Sequence, residues 1–457
     1  MIEATRGEFL CGSFDGPLNS ISTDTRQIRP GDCFVALPGE NHDGHAFVAG
    51  ALTAGAGAVI VSRPLHDLSL PDGVEASVIR VSDTLYALGE LARYHRRRFS
   101  IPVVGITGSN GKTSSKEMVA AILGQRRQVL KNKGNFNNLI GAPLTLLSLD
   151  PHHQVAVVEM GINVPGEMAR LVEIGSPTVG LITGIHPAHL EGLHSLDLIL
   201  EEKGKLWAGL RQEELAVVNL DDDRLRNFSK KVKARKITYS LKDEAADVKL
   251  TSGVDIDGSA SIFQMALGGA NISIRLPVLG LHQVQNALAA AAVAWGMGES
   301  PESVASGLSL HRPVRQRMEM HPLKDGGMIL DDTYNANPRS MLAAVETALA
   351  ASRGKPVMAV LGEMRELGPE GASLHREVGR QVAALGVSRL VALGELGGEI
   401  IRGAREGSFA PEACFHAGSH EEAVAWLSRQ PIGNAWIVVK GSRAMAMERV
   451  VEGILGA

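Results

Sequence analysis

Short apolar runs separated by glycine-rich turns characterise the first hundred residues. The runs are rich in β-branched side chains and predict strands at residues 33–37, 58–61 and 77–81. A basic, helix-like segment follows at residues 88–99. We expect its three consecutive arginines, Arg96, Arg97 and Arg98, to form a solvated helix end, because charge runs usually face water.

The pattern changes after residue 100, where buried-strand runs alternate with helical stretches. Strands are predicted at residues 102–106, 154–158, 178–182 and 216–219, and an alanine-rich helix at residues 286–295. Strands that alternate with helices are typical of a parallel sheet covered on both faces. The segment around Arg312 is a plausible boundary of this unit.

A second alternating series follows that boundary, with strand-like runs at residues 328–331, 357–361, 389–393 and 436–439. We therefore predict an α/β protein of three domains, spanning residues 1–99, 100–313 and 314–457. A length of 457 residues agrees with about three domains at roughly 150 residues each.

Composition narrows the class of protein. Hydrophobic residues make up 44% of the chain, which excludes general disorder. The net charge of −4 and the 4% of aromatic residues provide neither a basic face nor stacking platforms, so we expect no nucleic-acid partner. Three cysteines without a C-x-x-C pair, no signal-peptide pattern and no long apolar run predict a cytoplasmic protein that does not insert into membranes.

A glycine-rich loop carries the strongest chemical signal. Residues 105–113, GITGSNGKT, follow a predicted strand and precede a helix. Backbone amides in such a loop bind phosphate, while Lys112 would neutralise β/γ-phosphate charge and Thr113 would ligate Mg²⁺. Ile106 occupies the position of the first Walker glycine, so the loop departs from the usual spacing. A purely structural turn is the alternative interpretation.

Further candidates follow the predicted strands. Glu159 ends one of them, at the sheet edge where ligands bind, and its carboxylate suits Mg²⁺; a helix-capping or solvent-facing glutamate is the alternative. Three nearby histidines match no usual zinc spacing: His186, His189 and His194. Lys203 and Lys205 are, from the residues alone, ordinary surface lysines.

Several motifs carry a family resemblance. The loop TGSNGKT at residues 107–113 resembles that of the Mur ligase and folylpolyglutamate synthetase superfamily. Residues 331–338, DDTYNANP, are similar to the signature of one Mur ligase branch. Residues 188–192, 279–286, 361–368 and 440–443 also fit, as do residues 22–26, 30–39 and 43–47 of the first domain. The resemblance therefore covers nearly the whole chain.

The resemblance implies a fold and a reaction. It implies a small UDP-sugar-binding α/β domain, a central P-loop-type ATPase domain with a parallel sheet, and a Rossmann-like C-terminal domain. The implied activity is ATP-driven amide formation through an acyl phosphate, joining D-alanyl-D-alanine to UDP-N-acetylmuramoyl-tripeptide in peptidoglycan precursor synthesis. We expect a monomer that uses two Mg²⁺ ions and a carbamylated lysine, Lys203, with Lys205 as the fallback.

The resemblance also assigns residue roles. It implies catalytic roles for Lys112, Lys203, His189 and Arg317, and metal binding by Thr113, Glu159, His189 and carbamylated Lys203. ATP would contact the loop and three residues beyond it: Gly108, Ser109, Asn110, Gly111, Lys112, Thr113, Asn286 at adenine, Arg317 at the phosphates and Asp332 at ribose. The muramyl and peptide substrates would contact Ser22, Thr23, Asp24, Arg26, Asn135, Asn137, Asn138, Tyr334, Asn335 and Asn337.

Other functions remain possible at this stage. A folylpolyglutamate synthetase shares the loop but is expected to lack the first domain and the DDTYNANP signature. The Mur ligase branch that adds a single amino acid shares the first domain and should differ at residues 331–338 and 362–367. A nucleotide-dependent switch protein is disfavoured by the altered loop spacing and by the missing N-K-x-D motif. For Ser22, Thr23 and Asp24, a helix-capping cluster is the alternative to substrate binding.

Overall fold

A computed structural model describes residues 1–39, 42–68, 70, 73, 75–188 and 190–456. Its described strands form three separate sheets, one in each predicted domain. The predicted α/β class with three domains is thus confirmed. Because the sheets do not share strands, we retain 1–99, 100–313 and 314–457 as the proposed domain limits.

The N-terminal sheet is small and mostly parallel. Its strand order is β1-β5-β4-β3-β2, with only β1 antiparallel to its neighbour. The strands are β1 Glu8–Cys11, β2 Ile21–Ser22, β3 Cys33–Val35, β4 Ala58–Val61 and β5 Ser77–Arg80, and the helices are α1 Ile2–Thr5, α2 Val48–Thr53 and α3 Thr84–Arg96. Apolar clusters lie on both of its faces, which explains the continuous apolar runs of β3 and β4.

One prediction in this domain was wrong. Arg96 is not solvated: it is 7% exposed, and its guanidinium donates to the carbonyls of Gly175, Phe99 and Ile101. Arg97 and Arg98 are exposed as predicted. Arg96 therefore joins the end of α3 to the central domain, because its five donors can satisfy several carbonyls at once.

The central sheet has a parallel part that contains the four predicted strands and three further strands that the sequence did not predict. In order, β7-β8-β6-β9-β10-β11-β12 are parallel. These strands are β6 Val103–Thr107, β7 Val129–Lys131, β8 Val155–Glu159, β9 Val179–Ile182, β10 Leu215–Asn219, β11 Arg235–Ser240 and β12 Val248–Leu250. β6, β8 and β10 are fully buried, with an apolar cluster on each face, as parallel sheets require.

Antiparallel strands that the sequence did not predict extend this sheet beyond β12. They are β13 Asp255–Asp257, β14 Ala260–Leu267 and β15 Ala270–Leu276. The covering helices are α4 Lys112–Leu123, α5 Gly141–Leu147, α6 Glu167–Gly175, α7 Leu190–Leu193, α8 Leu196–Ala208, α9 Asp223–Ser229, α10 Leu281–Gly296 and α11 Pro301–Ser309. The alanine-rich α10 packs beside α4 in the core, where small side chains permit close approach.

The C-terminal sheet has the order β16-β17-β21-β18-β19-β20 and is parallel except for β16. Its strands are β16 Glu319–Pro322, β17 Met328–Asp332, β18 Val357–Leu361, β19 Arg389–Leu393, β20 Cys414–Ala417 and β21 Trp436–Lys440. Its helices are α12 Pro338–Ser352, α13 Gly371–Ala384, α14 Gly397–Glu406, α15 His420–Leu427 and α16 Glu448–Leu455. Within the described ranges, no helix is long and apolar enough to cross a membrane.

His311, between α11 and β16, makes stability depend on pH. It is 4% exposed, and burial lowers its pKa to about 4, with Glu117 opposing this shift and Lys131 adding to it. The unfolded chain binds a proton near pH 6.5, whereas the folded one does so only near pH 4. Stability contributed by neutral His311 is therefore present above pH 6.5 and lost as the pH falls.

We expect His311→Gln to lose less free energy of unfolding between pH 7 and pH 4 than the wild type, by about 3 kcal/mol. Urea unfolding of both proteins across this range measures the difference. Parallel pH profiles would contradict the assignment to His311.

Candidate active site

The phosphate loop joins β6 to α4 and depends on two glycines. Gly108 has φ +143°, and a Cβ there would lie 1.9 Å from Thr183 Oγ1. Gly111 has φ +79°, and its Cβ would lie 2.2 Å from Asn286 Oδ1. A side chain at either position would clash and strain the backbone. Glycine thus lets the loop turn tightly onto the first residues of α4, where backbone amides favour an anion.

Lys112 is the first residue of α4 and lies over this loop. Its Nζ donates to Gly108 O at 2.8 Å. Burial lowers the pKa of Lys112 and the nearby Arg317 adds to the shift, whereas Glu159 opposes it. The amine therefore lies in the anion-binding loop, next to a carboxylate that favours its charged form.

Thr113, Glu159 and Arg317 meet beside Lys112, although they come from three separate parts of the chain. The Thr113 hydroxyl donates to Glu159 Oε2 at 2.9 Å, and Arg317 Nη2 donates to Thr113 Oγ1 at 3.0 Å. Glu159 is 1% exposed at the end of β8. The predicted cluster of phosphate-binding and metal-binding groups is thereby assembled around one hydroxyl.

A loop at residues 132–138 closes the other side of Glu159. Asn137 Nδ2 donates to Glu159 Oε1 at 2.7 Å, and Asn132 Oδ1 accepts from the Glu159 amide at 2.6 Å. Asn138 Oδ1 accepts from the amides of Ile140 and Gly141 at the start of α5. Three asparagines of this loop were predicted to contact substrate, Asn135, Asn137 and Asn138. Of these, Asn137 and Asn138 thus have hydrogen-bond partners within the protein, and Asn137 contacts Glu159.

Sequence reasoning missed two residues of this region, Asn132 and Lys116. Lys116 is fully buried, and its Nζ lies 3.8 Å from Glu159 Oε2. A usable signal was present, because Lys116 is one helical turn after Lys112 and such residues share a helix face. Asn132 carried no comparable signal, since its partners become neighbours only in the folded chain.

The structure distinguishes Lys203 from its fallback Lys205. Lys203, on α8, is 1% exposed, and its Nζ has no hydrogen-bond partner among the described residues. Burial lowers its pKa far below the usual value, and the Lys112 charge adds to the shift. Lys205 instead pairs with Glu202 at 2.5 Å and its side chain is 34% exposed. Lys203 therefore offers a buried amine that has no hydrogen-bond partner in the described part of the chain and whose neutral form is favoured.

The C-terminal domain places polar groups against the phosphate loop. The Arg317 guanidinium lies 4.2 Å from the centre of the Tyr334 ring. Asn337, which caps α12, donates through Nδ2 to Asn110 Oδ1 at 2.6 Å. In the opposite direction, Asn110 Nδ2 donates to Asn337 Oδ1 at 3.3 Å. The second and third domains are therefore in direct contact at the predicted ATP site.

Asp332 is held by Lys440, which also donates to the Asn335 carbonyl at 2.8 Å. In the central domain, the Asn286 side chain donates to Gln283 Oε1 at 3.1 Å. His282 lies near Asp332, and burial lowers its pKa to about 4, so the imidazole is neutral at physiological pH. The predicted ribose and adenine residues thus line one space.

That space is a cavity of about 950 Å³ between the central and C-terminal domains. It brings together most of the predicted site residues: Ser109, Asn110, Gly111, Lys112, Thr113, Asn135, Asn137, Asn138, Glu159, Asn286, Arg317, Asp332, Tyr334, Asn335 and Asn337. Gly108 does not line the cavity, but its close approach to Thr183 allows the turn of the loop. Lys203 does not line the cavity either, and it is buried near Lys112. A volume of this size suits a nucleotide and part of a second substrate.

The predicted residues of the first domain do not line this cavity. Asp24 caps the turn Thr25–Gln27, accepting from the Arg26 amide at 3.0 Å. Its side chain also binds the Arg26 guanidinium, and these hydrogen bonds lower the pKa of Asp24 to about 2. Ser22 accepts from the Asp24 amide. Ser22 and Asp24 thus make local turn contacts and the Arg26 side chain is 87% exposed, while the substrate contacts assigned to these residues stay a prediction.

His189 lies outside the described residues. His186, to which the resemblance assigns no role, lines the cavity, and its backbone binds the Ser109 hydroxyl at 2.8 and 2.9 Å. Burial lowers the pKa of His186. This histidine supports the phosphate loop through its backbone.

The donor set at Thr113 and Glu159 fits Mg²⁺. Mg²⁺ prefers one or two carboxylates or hydroxyls plus phosphate oxygens, and these two side chains meet at 2.9 Å beside the loop. A carboxylate-like group on Lys203 would add a further oxygen donor. The arrangement can therefore bind a nucleoside triphosphate with its metal, next to space for an acyl acceptor.

Family models match three consecutive parts of the chain. Residues 17–96 match the Mur ligase family catalytic domain, residues 106–294 the Mur ligase middle domain, and residues 316–443 the Mur ligase glutamate ligase domain. Together they span the three sheets described above.

Similar proteins and structures agree with these matches. The chain is 37% identical to the UDP-N-acetylmuramoyl-tripeptide–D-alanyl-D-alanine ligase of Escherichia coli K12, covering 96% of this chain and 94% of the relative. It resembles crystal structure I of MurF from Acinetobacter baumannii, with 32% identity, a TM-score of 0.90 and coverage of 100% and 98%. It also resembles MurF of Thermotoga maritima in complex with ADP, with 27% identity, a TM-score of 0.83 and coverage of 95% and 97%.

Proposed function

The chain belongs to the Mur ligase family, and we propose that it is the ATP-dependent ligase of MurF type, adding D-alanyl-D-alanine to UDP-N-acetylmuramoyl-tripeptide. The observation that carries this proposal is the convergence of Lys112, Glu159 and Arg317 around Thr113, at one end of the 950 Å³ cavity. These groups come from distant parts of the chain, and together they suit a triphosphate.

We propose two chemical steps. In the first, a carboxylate oxygen of the tripeptide attacks the γ-phosphorus of ATP, the bond from that phosphorus to the β,γ-bridging oxygen breaks, and ADP leaves. In the second, the amine of D-alanyl-D-alanine attacks the acyl phosphate carbon, and inorganic phosphate leaves as the amine loses its proton. The carboxylate itself is the nucleophile, so no serine or cysteine nucleophile is required.

Both steps gather negative charge in a small volume. Lys112 and Arg317 are cations within hydrogen-bond reach of the loop and of Thr113. Cations that are already fixed in this position stabilise the transition state of phosphoryl transfer more than the ground state. The Tyr334 ring beneath Arg317 restricts the guanidinium to this orientation.

We propose that Thr113 and Glu159 hold one Mg²⁺ ion, and that His189 and carbamylated Lys203 serve a second. When bound, the metal neutralises phosphate charge. Lys203 can form a carbamate by adding its neutral amine to CO₂, which releases one proton. Its burial and depressed pKa favour the neutral amine that this addition needs.

Substrate contacts follow the lining of the cavity. We propose that Asn286 and Asp332 contact adenine and ribose, and that Asn135, Asn137 and Asn138 face the muramyl substrate. Tyr334, Asn335 and Asn337 would lie near the two substrates being joined. Ser22, Thr23, Asp24 and Arg26 are proposed to reach the UDP group from the first domain, where the exposed Arg26 side chain is available. We propose that the protein acts as a monomer in the cytoplasm.

An ADP-release assay with UDP-N-acetylmuramoyl-tripeptide tests the function. We expect ADP release to require D-alanyl-D-alanine and to give one ADP per new amide bond. Dependence on a single amino acid with a muramyl dipeptide would indicate the neighbouring branch, and dependence on glutamate plus a folate would indicate a folylpolyglutamate synthetase. Hydrolysis that no amine acceptor changes would favour a nucleotide switch.

A further inference from the structure

Lys116 is a buried cation that the reaction described above does not use. It is 0% exposed in the second turn of α4. Its Nζ donates to the carbonyls of Asn132 at 3.0 Å and Gly134 at 3.3 Å. Carboxylate oxygens of Glu117 and Glu159 lie 3.1 and 3.8 Å away. Lysine is rarely buried without such partners, because the isolated charge is costly to remove from water.

These partners lie on separate segments. Two are carbonyls of the loop of residues 132–138, Glu117 is the next residue of α4, and Glu159 ends β8. Asn132 links the same segments: it is 1% exposed, accepts from the Glu159 amide, and donates to Phe136 O at 2.5 Å. Lys116 and Asn132 therefore fasten the 132–138 loop to the strand that carries Glu159.

The fastened loop carries Asn137, whose amide contacts Glu159. A well-packed apolar side chain would often stabilise such a site as well as a buried charge does. A lysine adds directed bonds to two loop carbonyls, which hold the backbone in one arrangement. The contact set thus suits positioning of the loop better than general stabilisation of the fold.

We propose that Lys116 is a positioning residue that sets the 132–138 loop for binding of the muramyl substrate. This inference rests on the proposed function, since that function supplies the substrate. Lys116 acts through Asn132, Gly134 and the asparagines that follow them. The phosphate loop itself makes its glycine and Lys112 contacts without Lys116.

Two affinities measured by calorimetry without added metal test this role. We expect Lys116→Met to weaken binding of UDP-N-acetylmuramoyl-tripeptide by at least about tenfold, as loss of a supporting contact commonly does. Binding of ADP should change by less than about twofold, because the phosphate loop stays intact. Asn132→Ala should likewise weaken binding of the muramyl substrate and leave binding of ADP nearly unchanged. Lys131→Met is the matched control, because Lys131 also pairs with Glu117 but is 43% exposed, and it should change neither affinity.

Hydrogen exchange of the ligand-free protein separates this inference from the proposed function. In Lys116→Met, amides of residues 132–138 should exchange at least about tenfold faster, with those of α4 unchanged. If the wild type fails to bind the muramyl substrate while this exchange result holds, the proposed function is wrong and the positioning role stands. Unchanged loop exchange, or equal loss of both affinities, overturns the inference.

Discussion

Replacing Lys112 with alanine is expected to lower the rate of amide-bond formation by about a thousandfold. The amine lies in the phosphate loop, 2.8 Å from the Gly108 carbonyl, and near the Arg317 charge. Without it, the charge that develops on the transferring phosphoryl group loses one of the two cations placed beside it, and Arg317 and the loop amides are left. Coupled ADP release and chromatography of the muramyl pentapeptide product measure the loss.

A matched control is Lys230→Ala, which changes an exposed lysine of the same domain whose side chain donates to Asn227. It should retain the wild-type rate. We also expect Lys112→Ala to melt within a few degrees of the wild type, since the change removes no apolar packing. An unaltered ligation rate in Lys112→Ala would refute the proposed chemistry.

Replacing Lys203 with alanine is expected to lower the ligation rate by about a hundredfold. Lys203 is buried, its amine has no partner among the described residues, and its pKa lies far below the usual value. Burial therefore favours the neutral form of the amine, which is the form that adds to CO₂. Carbon-13 NMR with labelled bicarbonate should show a carbamate signal in the wild type that is absent in Lys203→Ala.

Lys205→Ala is the control for this experiment, because Lys205 lies on the same helix, pairs with Glu202 and is partly exposed. It should keep both the carbamate signal and most of the activity. If the carbamate signal disappears in Lys205→Ala and persists in Lys203→Ala, Lys205 is the modified residue and the assignment to Lys203 is wrong. Full activity of Lys203→Ala would remove the carbamate from the mechanism.

Local sequence signals predicted the elements that carry the site. The runs at residues 357–361 and 389–393 coincide with β18 and β19, and those near Val103 and Val155 lie within one residue of β6 and β8. These strands are buried on both faces, so each is a continuous apolar run. The helix that the sequence predicts after residues 105–113 begins within that stretch, at Lys112.

Features that depend on distant partners were not predictable in this way. Arg96 resembles a surface arginine in sequence, but carbonyls of residues 99, 101 and 175 bury it. The antiparallel strands beyond β12 alternate between buried and exposed positions, and this weaker pattern did not stand out. The hydrogen bonds that Ser22 and Asp24 make within a local turn are likewise visible only in the folded chain.

The sequence by itself determined the class of fold, the phosphate loop and the identity of Lys112, Thr113 and Glu159, because each follows from a pattern within a dozen residues. Only the tertiary structure decided which lysine of α8 is buried, that Arg317 reaches Thr113, and that Lys116 and Asn132 hold a loop beside Glu159. The reason is physical: burial, pKa and hydrogen bonding depend on groups that are far apart along the chain and meet only when the sheets and helices pack.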